Sequence, residues 1–144
     1  MTAEKTASVT WEGDLPTGKG IIQSVGSGLI GPMDVSWPAR TGEEEGKTSP
    51  EELIAAAHAS CFSMAFSNVL AKQDHTPGRL EVSATVTFVP GTGITKSALD
   101  VTGVVPDMDE DAFREAAETA KDNCPVSKAL TGTVELSVTA RLAG

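Results

Sequence analysis

Residues 48–71, TSPEELIAAAHASCFSMAFSNVLA, decide how the rest of the chain must be arranged. Ser49 is a capping residue type, Pro50 suits the first helical position, and Glu52 stands three residues after the cap. That spacing predicts a long helix opened by a capping box. Glu51 has no structural task in such a box. Residues 53–71 carry no charged side chain and are rich in Ala and Ser, so the helix is expected to be buried on most sides and closely approached by other backbone. The run is long enough to cross a membrane, but His58, Ser60, Ser63, Ser67, Asn68 and the high Ala content favour the buried helix of a soluble protein. Cys61 lies in its middle. Taken alone, a thiol there is explained at least as well by packing as by reactivity.

Upstream, Ala7, Val9 and Trp11 alternate with Ser8, Thr10 and Glu12, which predicts a half-buried strand, and residues 20–25 read as its hairpin partner. Glycines and prolines interrupt residues 26–47, so this stretch is expected to be irregular, a long loop of the functional or mobile kind. It holds Arg40 and the acidic run Glu43, Glu44, Glu45, read as a solvated face. Downstream, Leu80, Val82, Ala84, Val86 and Phe88 alternate with polar residues as a strand should. A turn at residues 90–93 leads into a second strand over 94–105, with Leu99, Val101 and Val105 on one face. Asp109 is placed to cap a helix with the apolar stripe Ala112, Phe113, Ala116, Ala117 and Ala120, ending near Asn123. Pro125 opens another short helix over 125–130. A last strand carries Val134, Leu136, Val138, Ala140 and Leu142. Strands, helix, strands, helix, strand: the order predicts an α+β fold with antiparallel sheet packed on helices.

At 144 residues the chain is expected to form a single domain, 1–144, with a real core. Its net charge of −9 argues against nucleic acid and against an anionic membrane as partner. The opening MTAEKTASVT lacks the features of a secretory signal, so a cytoplasmic location is expected. Two cysteines in a reducing compartment do not make a stapled framework. Cys124 sits where a helix begins, so amide N–H groups favour its thiolate. Cys61 precedes it by 63 positions with no CxxC, which excludes a thioredoxin-like pair. His58, Cys61, Cys124 and His75 are four candidate metal ligands without the close spacing of a structural site, so no metal is expected. His58 alone reads as a hydrogen-bonded, partly buried residue, and His75 as surface.

The segments VTWEGDLPTGKG (9–20), SPEELIAAAHASCFSMAF (49–66) and NCPVSKAL (123–130), in that order, resemble the OsmC/Ohr family of thiol-dependent peroxidases, and its OsmC branch most closely. The likeness spans essentially the whole chain. It implies an OsmC-like fold in an intertwined cytoplasmic homodimer that reduces organic hydroperoxides, with hydrogen peroxide a poorer substrate in many members. It implies that Cys61 attacks the peroxide, that Cys124 resolves the product as a disulfide, and that Arg40 and Glu51 complete the site. A dithiol, for which the resemblance suggests a lipoyl protein, would reopen the disulfide, and no cofactor is called for. The chain departs from the pattern in a slightly longer loop after Arg40, in Asn123 where Gly is common, and in Ser60 where Ala is common.

Simple chemistry limits what Arg40 can contribute. An unperturbed cysteine of pKa about 8.5 is roughly 3% thiolate at pH 7. Lowering that pKa by about 2.5 units raises the thiolate fraction about thirtyfold, but nucleophilicity falls with pKa and returns most of the gain. Arg40 is therefore expected to act mainly by aligning the peroxide and stabilising charge on the departing oxygen, with Glu51 holding its fork bidentately. Glu51 and Cys61 are separated by about 15 Å along a continuous helix. A site shared between two chains, Glu51 of one serving Cys61 of the other, follows from that offset. Two other classes fit the same residues: a non-catalytic small-ligand binder, and a metal-binding protein using His58, Cys61 and Cys124.

Overall fold

In the computed structural model, residues 2–43 and 46–143 are described, and they fall into two units that meet in sequence at Leu53 and Ile54. The first unit holds one antiparallel sheet of β1 (Ala7–Glu12), β2 (Lys19–Val25) and β3 (Met33–Val35), in the order β1-β2-β3. The hairpin between β1 and β2 closes on Asp14, whose carboxylate accepts from the Thr17 amide and hydroxyl at 2.9 and 2.6 Å. Gly20 is required by close approach: a Cβ there would stand 2.6 Å from the Trp11 ring. β1 departs from expectation because it is exposed along its whole length, Val9 to 58% and Trp11 to 41%. Its alternation is real, but the apolar face stays largely exposed.

Residues 26–47 are less irregular than their glycines suggested. They contain β3 and a short helix α1 (Trp37–Arg40), capped by Ser36, whose hydroxyl accepts from the Ala39 amide at 3.1 Å. Of the acidic run, Glu43 is exposed, whereas Glu44 and Glu45 lie outside the described residues.

The long helix α2 (Pro50–Lys72) starts in the first unit and runs without a break into the second. Half of the predicted capping box forms. Ser49 Oγ accepts from the Glu52 amide at 3.2 Å, while the Glu52 carboxylate accepts instead from the Thr48 hydroxyl. The helix ends on Asp74, whose left-handed φ of 62° lets the His75 amide reach back to the Leu70 carbonyl at 2.9 Å. Burial on most sides does not hold within this chain. The fully buried positions are His58, Phe62, Phe66 and Leu70, one stripe at steps of four, and Ala56, Ala57, Ser60, Met64 and Asn68 are exposed. By length and hydropathy this helix could span a membrane, as core helices of soluble proteins also can.

The second unit continues with β4 (Arg79–Val89), β5 (Gly93–Val104), α3 (Glu110–Asn123), α4 (Pro125–Leu130) and β6 (Glu135–Leu142). Asp109 caps α3 as predicted, accepting from the Ala112 amide at 3.3 Å. The sheet order is β4-β5-β6, and the α+β class holds, but the sheet is mixed rather than wholly antiparallel: β4 pairs antiparallel with β5, whereas β5 pairs parallel with β6. The two helices between β5 and β6 supply the crossover that a parallel pair needs. The core gathers Phe62, Phe66 and Leu70 of α2, Leu99 and Val101 of β5, Phe113, Ala116, Ala117 and Ala120 of α3, and Cys124. Phe66 bridges two of these layers, its ring 5.4 Å from Phe62 and 4.9 Å from Phe113 between centroids.

Candidate active site

Two pairs of functional side chains form, one in each unit. In the first, Arg40 ends α1 and Glu51 begins α2. Arg40 Nε donates to Glu51 Oε1 at 2.8 Å, and the guanidinium carbon stands 6.0 Å from the centre of the Trp37 ring. Glu51 was expected to have no structural task and then to grip Arg40 bidentately. Instead it is buried, 6% exposed, and holds Arg40 through a single oxygen; Oε2 is buried with no hydrogen-bond partner. Beside the guanidinium opens an apolar cavity of about 300 Å³, walled by Val9, Trp11, Leu15, Trp37 and Leu53. It is a greasy slot with one cationic corner.

The second unit brings together Cys61 and Cys124, both free. Cys61 sits one residue before Phe62 on α2, half-buried, and lines an open trough of about 930 Å³ with Ser60, Met64, Asn68, Asn123 and Val126. Cys124 is fully buried at the junction of α3 and α4. Cys61 packs against the core cluster that contains Cys124, close enough for each thiol to influence the other's ionisation. Burial pushes the Cys61 thiol above the ordinary cysteine value and Cys124 pushes it further, against a smaller opposing pull from the Val126 backbone. Burial also opposes the Cys124 thiolate, but it is outweighed by the Ser127 backbone, by Cys61, by the Ser127 hydroxyl and by the Val126 backbone. No full capping bond reaches the sulfur, yet the start of α4 lowers its pKa, as the sequence suggested.

His58, one turn before Cys61 on α2, is fully buried rather than partly so, and both its ring nitrogens are occupied. Nδ1 lies 2.6 Å from Ser97 Oγ on β5, and Nε2 lies 2.8 Å from Ser127 Oγ on α4. Burial pushes its pKa below 6.5. Ser97 and Ser127 were not singled out from sequence. Ser127 lay in the quoted CPVS segment, but nothing local marks Ser97, which is 39 residues from its partner. Among the described residues no group of three or more His, Cys, Asp or Glu is arranged to hold a metal ion. His75, the other histidine considered as a ligand, is half-buried at the end of α2.

The second unit is an α+β structure that gathers two free thiols in one core, one half-exposed and one buried, which is the residue set of a dithiol protein. Residues 42–139 match the model of the OsmC family, described as OsmC-like protein. The chain is 40% identical to peroxiredoxin OsmC of Escherichia coli, over 94% of this chain and 96% of that one. It is also similar to the crystal structure of the organic hydroperoxide resistance protein OhrB of Bacillus subtilis, at TM-score 0.69 and 25% identity, over 94% of this chain and 98% of that one. A putative organic hydroperoxide resistance protein from Vibrio cholerae, with captopril bound in one of its active sites, superposes at TM-score 0.71 and 26% identity, over 97% of this chain and 94% of that one. The chain belongs to the OsmC family.

Proposed function

We propose that this chain is a thiol-dependent peroxidase that reduces organic hydroperoxides, and hydrogen peroxide less readily, through a Cys61 sulfenic acid and a Cys61–Cys124 disulfide. One observation carries the reading: of two free thiols packed in one core, Cys61 lines a cavity and Cys124 is fully buried. Only the exposed sulfur can meet a peroxide, and only the buried one is placed to trap the product before it is oxidised further. The Cys61 thiolate attacks the outer oxygen of ROOH, the O–O bond breaks, and the alkoxide leaves as ROH after taking a proton. Cys124 then displaces hydroxide from Cys61, forming the disulfide and water. A dithiol, for which a lipoyl protein is the candidate, reopens it and is itself oxidised to a disulfide.

Arg40 supplies the charge for the departing oxygen and Glu51 holds Arg40 in place. The apolar slot beside the guanidinium suits the alkyl part of an organic hydroperoxide better than it suits hydrogen peroxide. Because α2 is unbroken, Glu51 and Cys61 remain about 15 Å apart along it, which favours a homodimer in which each Cys61 is served by the partner's Arg40 and the partner's Glu51. The exposed Ala, Ser and Met side chains of α2 are the small, uncharged surface that a second copy would cover. The whole of 1–144 acts as one OsmC-like domain, and a dithiol cycle of this kind belongs in the cytoplasm, where thiols are kept reduced.

The test is consumption of cumene hydroperoxide against hydrogen peroxide, with dihydrolipoamide as reductant. Cys61→Ser abolishes turnover. Cys124→Ser consumes about one peroxide per site and then stalls with sulfenic or sulfinic acid on Cys61, read by mass spectrometry. Turnover retained by Cys61→Ser, or stable oxidation of Cys124 in that variant, would overturn the assignment.

A further inference from the structure

Arg40 is held from two directions. Its Nε donates to Glu51 at 2.8 Å, and its guanidinium carbon stands 6.0 Å from the centre of the Trp37 ring, at the limit of cation–π reach. Glu51 is placed by α2, whereas Trp37 is placed by α1, the same turn that carries Arg40. Residues three apart on one turn of helix are neighbours on its surface. That turn is short but closed at both ends. The Ser36 hydroxyl accepts from the Ala39 amide at 3.1 Å, and the Thr41 amide and hydroxyl reach the Trp37 carbonyl at 3.1 and 3.3 Å. The indole and the guanidinium are therefore presented together.

Both of them wall the apolar cavity of about 300 Å³. Another part of that wall is fixed independently. The Trp11 indole donates to the Gly13 carbonyl at 2.9 Å, and its ring lies over Gly20, where a Cβ would stand 2.6 Å from the ring and 2.8 Å from Val35 Cγ2. Val35 also lines the cavity and precedes Trp37 by two residues. The indole beside the guanidinium thus continues a wall that is already rigid.

Breaking an O–O bond gives this arrangement a meaning. When the Cys61 thiolate takes the outer oxygen of ROOH, the electron pair of the bond leaves on the oxygen that carries R, and that alkoxide then takes a proton. The atom that becomes charged is bonded directly to the group an apolar cavity would hold. A side chain shared by cavity and guanidinium fixes how far apart the two are kept. Hydrogen peroxide loses hydroxide, which has no R, and gains nothing from the wall.

We propose that Trp37 is a specificity-determining residue: one indole both walls the cavity for the organic group and flanks the guanidinium that meets the departing oxygen, and so sets the preference for organic hydroperoxides over hydrogen peroxide. This rests on the peroxidase reading above. A merely structural role would lower both activities together, so the diagnostic is their ratio.

The experiment compares kcat/KM for cumene hydroperoxide and for hydrogen peroxide, with dihydrolipoamide as reductant, in Trp37→Ala, Trp37→Leu and Trp37→Phe. Loss of the aromatic face should slow both substrates about threefold. Loss of the wall should slow cumene hydroperoxide by about a further tenfold, as removal of apolar pocket contacts does. Trp37→Ala suffers both losses, so its ratio of cumene hydroperoxide to hydrogen peroxide should fall about tenfold. Trp37→Leu keeps an apolar wall without the π face, so both rates should fall about threefold and the ratio should stay within about twofold of the parent. Trp37→Phe keeps wall and face and should recover most of both rates. If Trp37→Ala does not fold, the difference between Trp37→Leu and Trp37→Phe still reads the guanidinium contact. A ratio in folded Trp37→Ala within about twofold of the parent, or hydrogen peroxide rates equal in Trp37→Leu and Trp37→Phe, would overturn the proposal. An unsubstituted protein that consumes neither peroxide would remove the peroxidase reading, and this proposal with it; turnover with an unmoved ratio would remove this proposal alone.

Discussion

Gly103 lies on β5, the central strand of the second sheet, paired with Leu80 on one side and Leu142 on the other. A Cβ at this position would stand 2.5 Å from Cζ and 2.8 Å from Cε1 of Phe113, and 3.1 Å from Leu80 Cδ2. Carbon atoms settle at about 3.5–4.0 Å, so the overlap with the ring is about 1 Å. Neither side can yield easily. Phe113 is fully buried and packed on Phe66, and the Gly103 carbonyl is held by the Ala143 amide at 2.8 Å in addition to the ladders. Gly103→Ala should therefore cost about 1–3 kcal/mol, the usual penalty for overpacking a rigid core. In a chain of this length that lowers Tm by roughly 3–10 °C. The diagnostic is a double-mutant cycle measured by denaturant unfolding. Phe113→Leu alone opens a cavity and costs about 1–2 kcal/mol, but it also removes the two ring atoms that collide. The double variant should then be within about 1 kcal/mol of Phe113→Leu. Penalties that add within about 0.5 kcal/mol would refute the reasoning, because additivity means that the two sites do not touch.

Three further outcomes follow from the site. Burial holds His58 below 6.5, so the unfolded chain binds a proton that the folded chain refuses as pH falls through that value. Stability should decline on the acid side by up to about 1.4 kcal/mol per pH unit from this residue alone, and the decline should be shallower in His58→Gln; parallel unfolding curves between about pH 8 and 5 would contradict this. Arg40→Lys keeps the charge but loses the planar fork, so peroxide reduction should slow far more than alkylation of Cys61 by iodoacetamide; equal losses would mean that Arg40 works mainly by forming the thiolate. Mixing inactive Glu51→Ala and Cys61→Ser homodimers with subunit exchange should restore about a quarter of the wild-type activity if sites are shared between chains, whereas activity at the parental background after verified exchange would place each site in one chain.

The elements that carry their own local signal were legible from sequence. β4 announces itself by strict alternation, α3 by Asp109 and its alanine stripe, and the start of α4 by Pro125. What escaped was set by partners distant in the chain. β3 and α1 were hidden because Gly and Pro around them read as breakers, although Ser36 followed by Pro38 is a helix-start signal. The exposure of β1 and of half of α2 was missed for a different reason: apolar patterning says that a face is meant to be covered, not which surface covers it. The cysteines were found because thiols are rare in this chain, and Glu51 because Glu52, not it, fitted the cap. The monodentate Arg40 contact and the two serines on His58 depend on side-chain geometry that no spacing encodes.

The stripe of His58, Phe62, Phe66 and Leu70 has a mechanical consequence. Cys61 lies one residue from that stripe, about 100° around the helix axis. Its bearing on Cys124 is therefore dictated by how three apolar side chains seat in the core, in the way a key's teeth are indexed by its shank. A substitution at Phe62 or Phe66 that lets α2 roll by a fraction of a turn would swing the sulfur away from its partner while leaving every reacting group in place. Chemistry and packing are here under a single constraint, so drift in the core of this chain would be felt first as a loss of timing between the two thiols.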